Sequence, residues 1–183
     1  QDKKNPQILF AGNNISEAGG VYVIDYDATM TVSGDVQITD NWKNGTKNAD
    51  GVYEQGENGS ANNFYLFGDR DDRTEQQTVT IGTDGLTENA RIGIITNNTP
   101  TAEAPIKIAT GAAEGTDYTA IFTPDVTNKG YSVDQDGTDL YLSAHQHSWK
   151  YELSEDGKTI TATCTADGCN LTGNSGGNVT IVA

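Results

Sequence analysis

Between Thr78 and Gly111 the chain reads TVTIG, ARIGIIT and PIKIATG, with TDGLTEN and NNTPTAEA in between. Three short runs rich in Ile, Val and Thr are thus separated by polar stretches marked by Gly, Pro and Asn. β-Branched residues suit a pleated, half-buried surface, and the Gly- and Pro-marked breaks suit tight turns. This is the pattern of short strands, and it predicts an all-β fold.

The spacing predicts more. Phe67, Ile94 and Ile121 stand 27 residues apart, as do Ile81 and Ile108. An interval of this size marks a repeat architecture. One turn holding two or three short strands fits a coil of a right-handed parallel β-helix, in which each coil buries its apolar face on the next. The expectation is a β-solenoid over residues 1–144. A β-sandwich with a strand every dozen or so residues is the alternative.

Taken in order, QILFAG, VYVID after Gly19-Gly20, Met30-x-Val32 and Val36-x-Ile38 read as strands with one buried face. Residues 39–62 break the rhythm and read as a loop excursion. They hold Trp42 and Tyr53 among many Asn and Gly. Long loops carry binding surfaces, and exposed aromatics stack on sugars, so these two are the candidate ligand-binding residues. The plainer reading is that Trp42 packs down on the core. NFYLFG then returns to a strand. In the next turn Asp69, Asp71 and Asp72 offer oxygen ligands for Ca²⁺. Arg70 and Arg73 interleave with them, so a solvated, self-paired loop is expected rather than a calcium site. Asp136-Gly137, between Tyr131-x-Val133 and Leu140-x-Leu142, signals a hairpin that would cap the last coil.

Residues 145–183 form a different module. His145 and His147 precede Trp149, Tyr151 and Leu153; Ile160, Ala162 and Cys164 follow a Ser-Glu-Asp-Gly turn; Cys169 comes one turn later. The alternation predicts a second hairpin with one apolar face. Two registers satisfy it. One of them sets His147 opposite Cys164. Two His and two Cys make a tetrahedral zinc set, which would also supply folding energy to a small module. A Cys164–Cys169 disulfide is the rival, and free thiols the third option. Four protein ligands leave no open position, so a catalytic zinc is not expected.

Charge excludes some partners. Lys and Arg total 11 against 26 Asp and Glu, a formal net charge of −15. No basic stripe exists for nucleic acid or an anionic membrane surface, and no apolar run is long enough to span a bilayer. The polar QDKKNPQ start carries no signal peptide, and an exported chain is expected to begin after one. No acid pair with a base, no Ser or Cys nucleophile and no phosphate loop stands out, so no catalytic residue is assigned.

The order ARIGIIT, PIKIATG, YTAIFTPD, GYSV, LYLSA, His-x-His-x-Trp, DGKTITATC and GC resembles adhesin-like cell-surface proteins of Gram-positive gut anaerobes. In these, a right-handed β-helix region is followed by a small His/Cys hairpin module and then by further β-rich modules. The resemblance covers residues 60–183. It implies a non-catalytic, extracellular, wall-associated spacer or adhesive module whose partners are host or cell-wall glycans or proteins. It also suggests that NVTIVA at 178–183 begins a next module. A carbohydrate-binding module using Trp42 and Tyr53, and a polysaccharide-cleaving β-helix enzyme, are the competing functions.

Overall fold

A computed structural model describes residues 8–11, 14–15, 20–23, 30–68, 76–126, 129–144, 148–154, 156 and 160–165. Among these the structure is all-β, with no α-helix. The strands are β1 (Ile8–Phe10), β2 (Asn14–Ile15), β3 (Val21–Val23), β4 (Met30–Gly34), β5 (Val36–Ile38), β6 (Trp42–Lys43), β7 (Thr46–Lys47), β8 (Tyr53–Glu54) and β9 (Ser60–Ala61). They continue with β10 (Phe64–Leu66), β11 (Val79–Leu86), β12 (Arg91–Thr96), β13 (Ile106–Thr110), β14 (Phe122–Pro124), β15 (Tyr131–Asp136), β16 (Asp139–Ala144), β17 (Trp149–Leu153) and β18 (Ile160–Cys164).

The chain alternates between two larger sheets. The first holds β1, β5, β12, β10, β3 and β14, and all its pairings are parallel. The second runs β4, β11 and β13 in parallel and ends on β16 and β15, which are antiparallel. Alternate residues of both sheets point into one core, as the pleat requires. Val36, Ile38, Phe64, Leu66, Ile92 and Ile94 come from the first sheet; Val32, Val79, Ile81, Ile108, Leu140 and Leu142 come from the second. An antiparallel sandwich would not give this fully parallel first sheet.

Register corrects the 27-residue interval. Phe64 pairs with Ile94, Ile92 with Phe122 and Val79 with Ala109, so these three parallel steps are 30 residues each, whereas Ile8 to Val36 is 28, Val21 to Phe64 is 43, Met30 to Val79 is 49 and Ile38 to Ile92 is 54. The interval from Phe67 to Ile94 misses the 30-residue step by three residues. An odd slip along a strand swaps the two faces: Phe64 and Leu66 are buried, whereas Phe67 is only half-buried.

Register also explains the excursion. Ile92 takes Ile38 on one edge and Phe122 on the other; Ile94 takes Phe64 and Pro124 in the same way. β5 and β10 therefore lie end to end along one edge of β12. The chain leaves that line after Ile38 and re-enters it at Phe64. The neighbouring line behaves alike, with β1 beside β5 and β3 beside β10. The two outgoing segments meet where β2 pairs with β6. Six strands thus make four lines, two of them interrupted at the same place.

The Asp136-Gly137 hairpin forms as the sequence predicts. Gly137 has a φ of 58° and Asp136 pairs with Asp139. β16 lies antiparallel on β13 and ends the parallel run of the second sheet. Thr110 Oγ1 donates to Asp139 Oδ1 at 2.6 Å, and Lys107 Nζ sits 3.4 Å from Asp139 Oδ2. The Thr110 hydroxyl first, then the charge of Lys107, holds the Asp139 carboxyl below its ordinary value.

Because Ile92 is fully buried on the strand that joins three others, Ile92→Ala is expected to cost about 2–5 kcal/mol. The half-buried, outward Ile95 changed to Ala should cost under about 1.5 kcal/mol by the same reasoning. Urea unfolding of both variants checks the contrast; equal losses would mean that β12 does not face the core as described.

Candidate functional site

The excursion is more ordered than a loop. β6 pairs with β9 as well as β2, and β7 with β8. Asn48 builds the turn between β7 and β8: its Oδ1 accepts from the Asp50 and Val52 N–H groups at 3.0 Å each, and its Nδ2 donates to Glu54 Oε1 at 2.7 Å. Short polar side chains make such local bonds readily, which is why Asn-rich segments turn.

The two candidate ligand-binding aromatics belong to different small sheets. Trp42, on β6, is half-buried, and its indole Nε1 is enclosed with no hydrogen-bond partner among the described residues. Tyr53, on β8, is half-buried with Lys47 Nζ 5.1 Å from its ring centre, a cation–π contact. Asp69, Asp71 and Asp72, read as an unlikely calcium site, lie outside the described residues.

At the base of the excursion is a cluster the sequence did not announce. Asn41, Asn62 and Asn63 are all buried. Asn41 Nδ2 donates to Thr39 O (2.9 Å), and both Asn41 N and Nδ2 donate to Asn63 Oδ1 (2.8 and 3.2 Å). Asn63 in turn donates its backbone N–H to Asp125 Oδ2 and its Nδ2 to Asp125 Oδ1, each at 2.6 Å. Gly93, on β12, provides the room, since a Cβ there would clash with Asn63 Nδ2 and Asp125 Oδ1. Burial pushes the Asp125 carboxyl up from 3.8 to about 6, against the two Asn63 bonds that favour its charged form. Chemically this is a relay in which Asn63 links Asn41 to both carboxylate oxygens of Asp125.

The sequence also missed an outward aromatic pair. Tyr22 and Tyr65 occupy registered positions on β3 and β10, with ring centres 5.0 Å apart and an interplanar angle of 89°. Tyr22 is 38% exposed. The signal was present in VYV and FYL, where the middle residue of an inward-outward-inward triplet must face out.

Other surfaces offer less. A cleft of about 350 Å³ is lined by Gln76, Asn98, Pro105, Ile106, Lys107 and Tyr141. Its polar groups are engaged: Gln76 Nε2 donates to Leu66 O and Phe67 O, and Lys107 pairs with Asp139. Of the zinc set, His145, His147 and Cys169 lie outside the described residues. Among the described residues no group of three His, Cys, Asp or Glu could hold a metal. β17 and β18 adopt the register that sets Trp149, not His147, opposite Cys164.

No protein-family profile matches the chain, and comparison with curated proteins and with solved structures gives no match.

The relay predicts a pH dependence. The folded pKa of Asp125 lies above its unfolded value, so between about pH 4 and 6 the folded state holds a proton that the unfolded state has released. This contribution to stability is complete below about pH 4 and fades as pH rises through about 6. Unfolding free energies of the wild type and Asp125→Asn, compared across this range, should diverge by on the order of 1–3 kcal/mol, with the wild type losing ground as pH rises. Parallel curves would mean that Asp125 is not the titrating group.

Proposed function

We propose that this chain is a non-catalytic extracellular module of a larger cell-wall protein, a right-handed β-solenoid acting as a structural or adhesive spacer. The observation that carries the reading is the parallel pairing throughout the first sheet and across β4, β11 and β13 of the second, with the β10–β12, β12–β14 and β11–β13 steps each 30 residues. Strand lines laid on one another in this way extend the molecule in one direction, as a spacer needs. The acidic surface supports an exposed module that repels its copies and stays soluble. The carboxyl pushed up in pKa among the described residues, Asp125, is tied through both oxygens to Asn63, which suits a structural role better than general acid catalysis. No helix is long and apolar enough to cross a membrane among the described residues, in keeping with a module held by other parts of its parent chain.

The purified chain should release no reducing ends from a panel of plant and bacterial wall polysaccharides between pH 5 and 7. Sustained release would replace the spacer reading with a polysaccharide-cleaving enzyme. Zinc on His145, His147, Cys164 and Cys169, or a Cys164–Cys169 disulfide, remains the proposed staple of the C-terminal module. Native mass with thiol titration separates the two, since zinc adds mass and the disulfide removes both thiols.

A second reading, glycan binding, draws support from the Tyr22–Tyr65 pair, two amphipathic rings on an outward sheet face. Under it, Tyr22→Ala combined with Tyr65→Ala should lower retention on immobilised wall glycans tenfold or more without moving the urea midpoint. Unchanged retention would remove the glycan reading and leave the spacer.

A further inference from the structure

The chain holds two Asn-Gly steps, Asn44-Gly45 and Asn58-Gly59, and both lie in the excursion. The backbone nitrogen that follows an Asn can attack its side chain, and Gly leaves that nitrogen unshielded because it has no Cβ. By sequence the two steps are alike, and both Asn are exposed. The fold separates them. Asn44 lies between β6 and β7 at a φ of 57°. In that left-handed region ψ is about +47°, which turns the following nitrogen to the side opposite Cβ. Ring closure needs that nitrogen on the same side as Cβ. Asn58 is not among the residues of positive φ. It stands in the turn over residues 56–58 that leads into β9. Among the described residues neither its side chain nor the Gly59 N–H has a hydrogen-bond partner, whereas Asn48 Nδ2 is spent on Glu54. The turn also demands glycine at 59. A Cβ there would fall on Gln55 O, and Gln55 Nε2 donates to Gly59 O at 3.2 Å. The reactive pair is therefore built into the turn.

We infer that Asn58 is a self-modification site, and that the fold holds Asn44 unreactive in the same excursion. Gly59 N, having lost its proton to solvent, forms a bond to Asn58 Cγ. The Cγ–Nδ2 bond breaks, and ammonia leaves with a proton returned from solvent. Water then opens the five-membered imide. Opening at Cγ gives aspartate. Opening at the main-chain carbonyl gives isoaspartate, whose main chain runs through Cβ and Cγ. Either product places a new carboxylate beside Glu57. Isoaspartate also lengthens the main chain by one carbon just before Ser60, the register partner of Lys43. Asn62 N–H still meets Asn41 O below, so the change is confined to the upper part of the excursion.

The test is peptide mapping of the folded full chain, held at mildly alkaline pH and body temperature, with isoaspartate read by enzymatic methylation. A parallel sample is held in enough urea to unfold it. In the folded chain Asn58 should convert at least about tenfold faster than Asn44, because the left-handed backbone at Asn44 must first open locally. In urea the two should convert at similar rates. Asn58→Gln should remove the product at 58 and leave the slow conversion at Asn44 unchanged. Equal rates at the two sites in the folded chain overturn the inference. So does an Asn58 that stays intact in the folded chain while it converts in urea.

Discussion

Asn63 is where the four strand lines of the first sheet are fastened together. Its carbonyl accepts from Val21 N–H in the outermost interrupted line. Its side-chain oxygen serves Asn41, at the far side of the excursion's base. Its two N–H donors reach Asp125, just past the end of β14, across a gap that exists because Gly93 has no side chain. Burying an amide without partners costs several kcal/mol, so a node of this kind is stable only when every member is in place. The apolar ladders drive burial, but a slip of two residues along the strand leaves their faces unchanged. The amide and carboxylate bonds do not survive such a slip, and they pin the lines to one register.

How much of this was visible beforehand depended on range. The hairpin at Asp136-Gly137 and the apolar alternation of β17 and β18 were legible because turn chemistry and pleat are local. The 27-residue interval pointed to parallel stepping but matched none of the registers, three of which step by 30. In a chain dense with Ile and Val, intervals near the true one also collect matches, and only paired backbones distinguish 27 from 30. Trp42 and Tyr53 drew attention as aromatics in a polar segment, while Tyr22 and Tyr65, sitting inside apolar triplets, did not stand out. Asn41 and Asn62 fell in the segment read as a loop and Asn63 at the head of a strand, and their burial was not legible, because what buries an amide is a partner far away in sequence: Asp125 lies 62 residues beyond Asn63.

The two large sheets and the C-terminal hairpin use different means to the same end. The sheets share one core, each covering the other. The hairpin has a polar side and an apolar side but only two strands, so it must borrow cover.

The interrupted strand lines carry one more consequence. The excursion begins and ends at adjacent points: Asn62 N–H donates to Asn41 O at 2.9 Å, so the base is closed whatever lies above it. Lengthening a loop closed in this way costs only about 0.6 kcal/mol per doubling. Residues 44–59, beyond the β2–β6–β9 pairing, therefore behave as a socket. Their content can be exchanged, by evolution or by grafting a foreign epitope, while the stacked lines below keep their register.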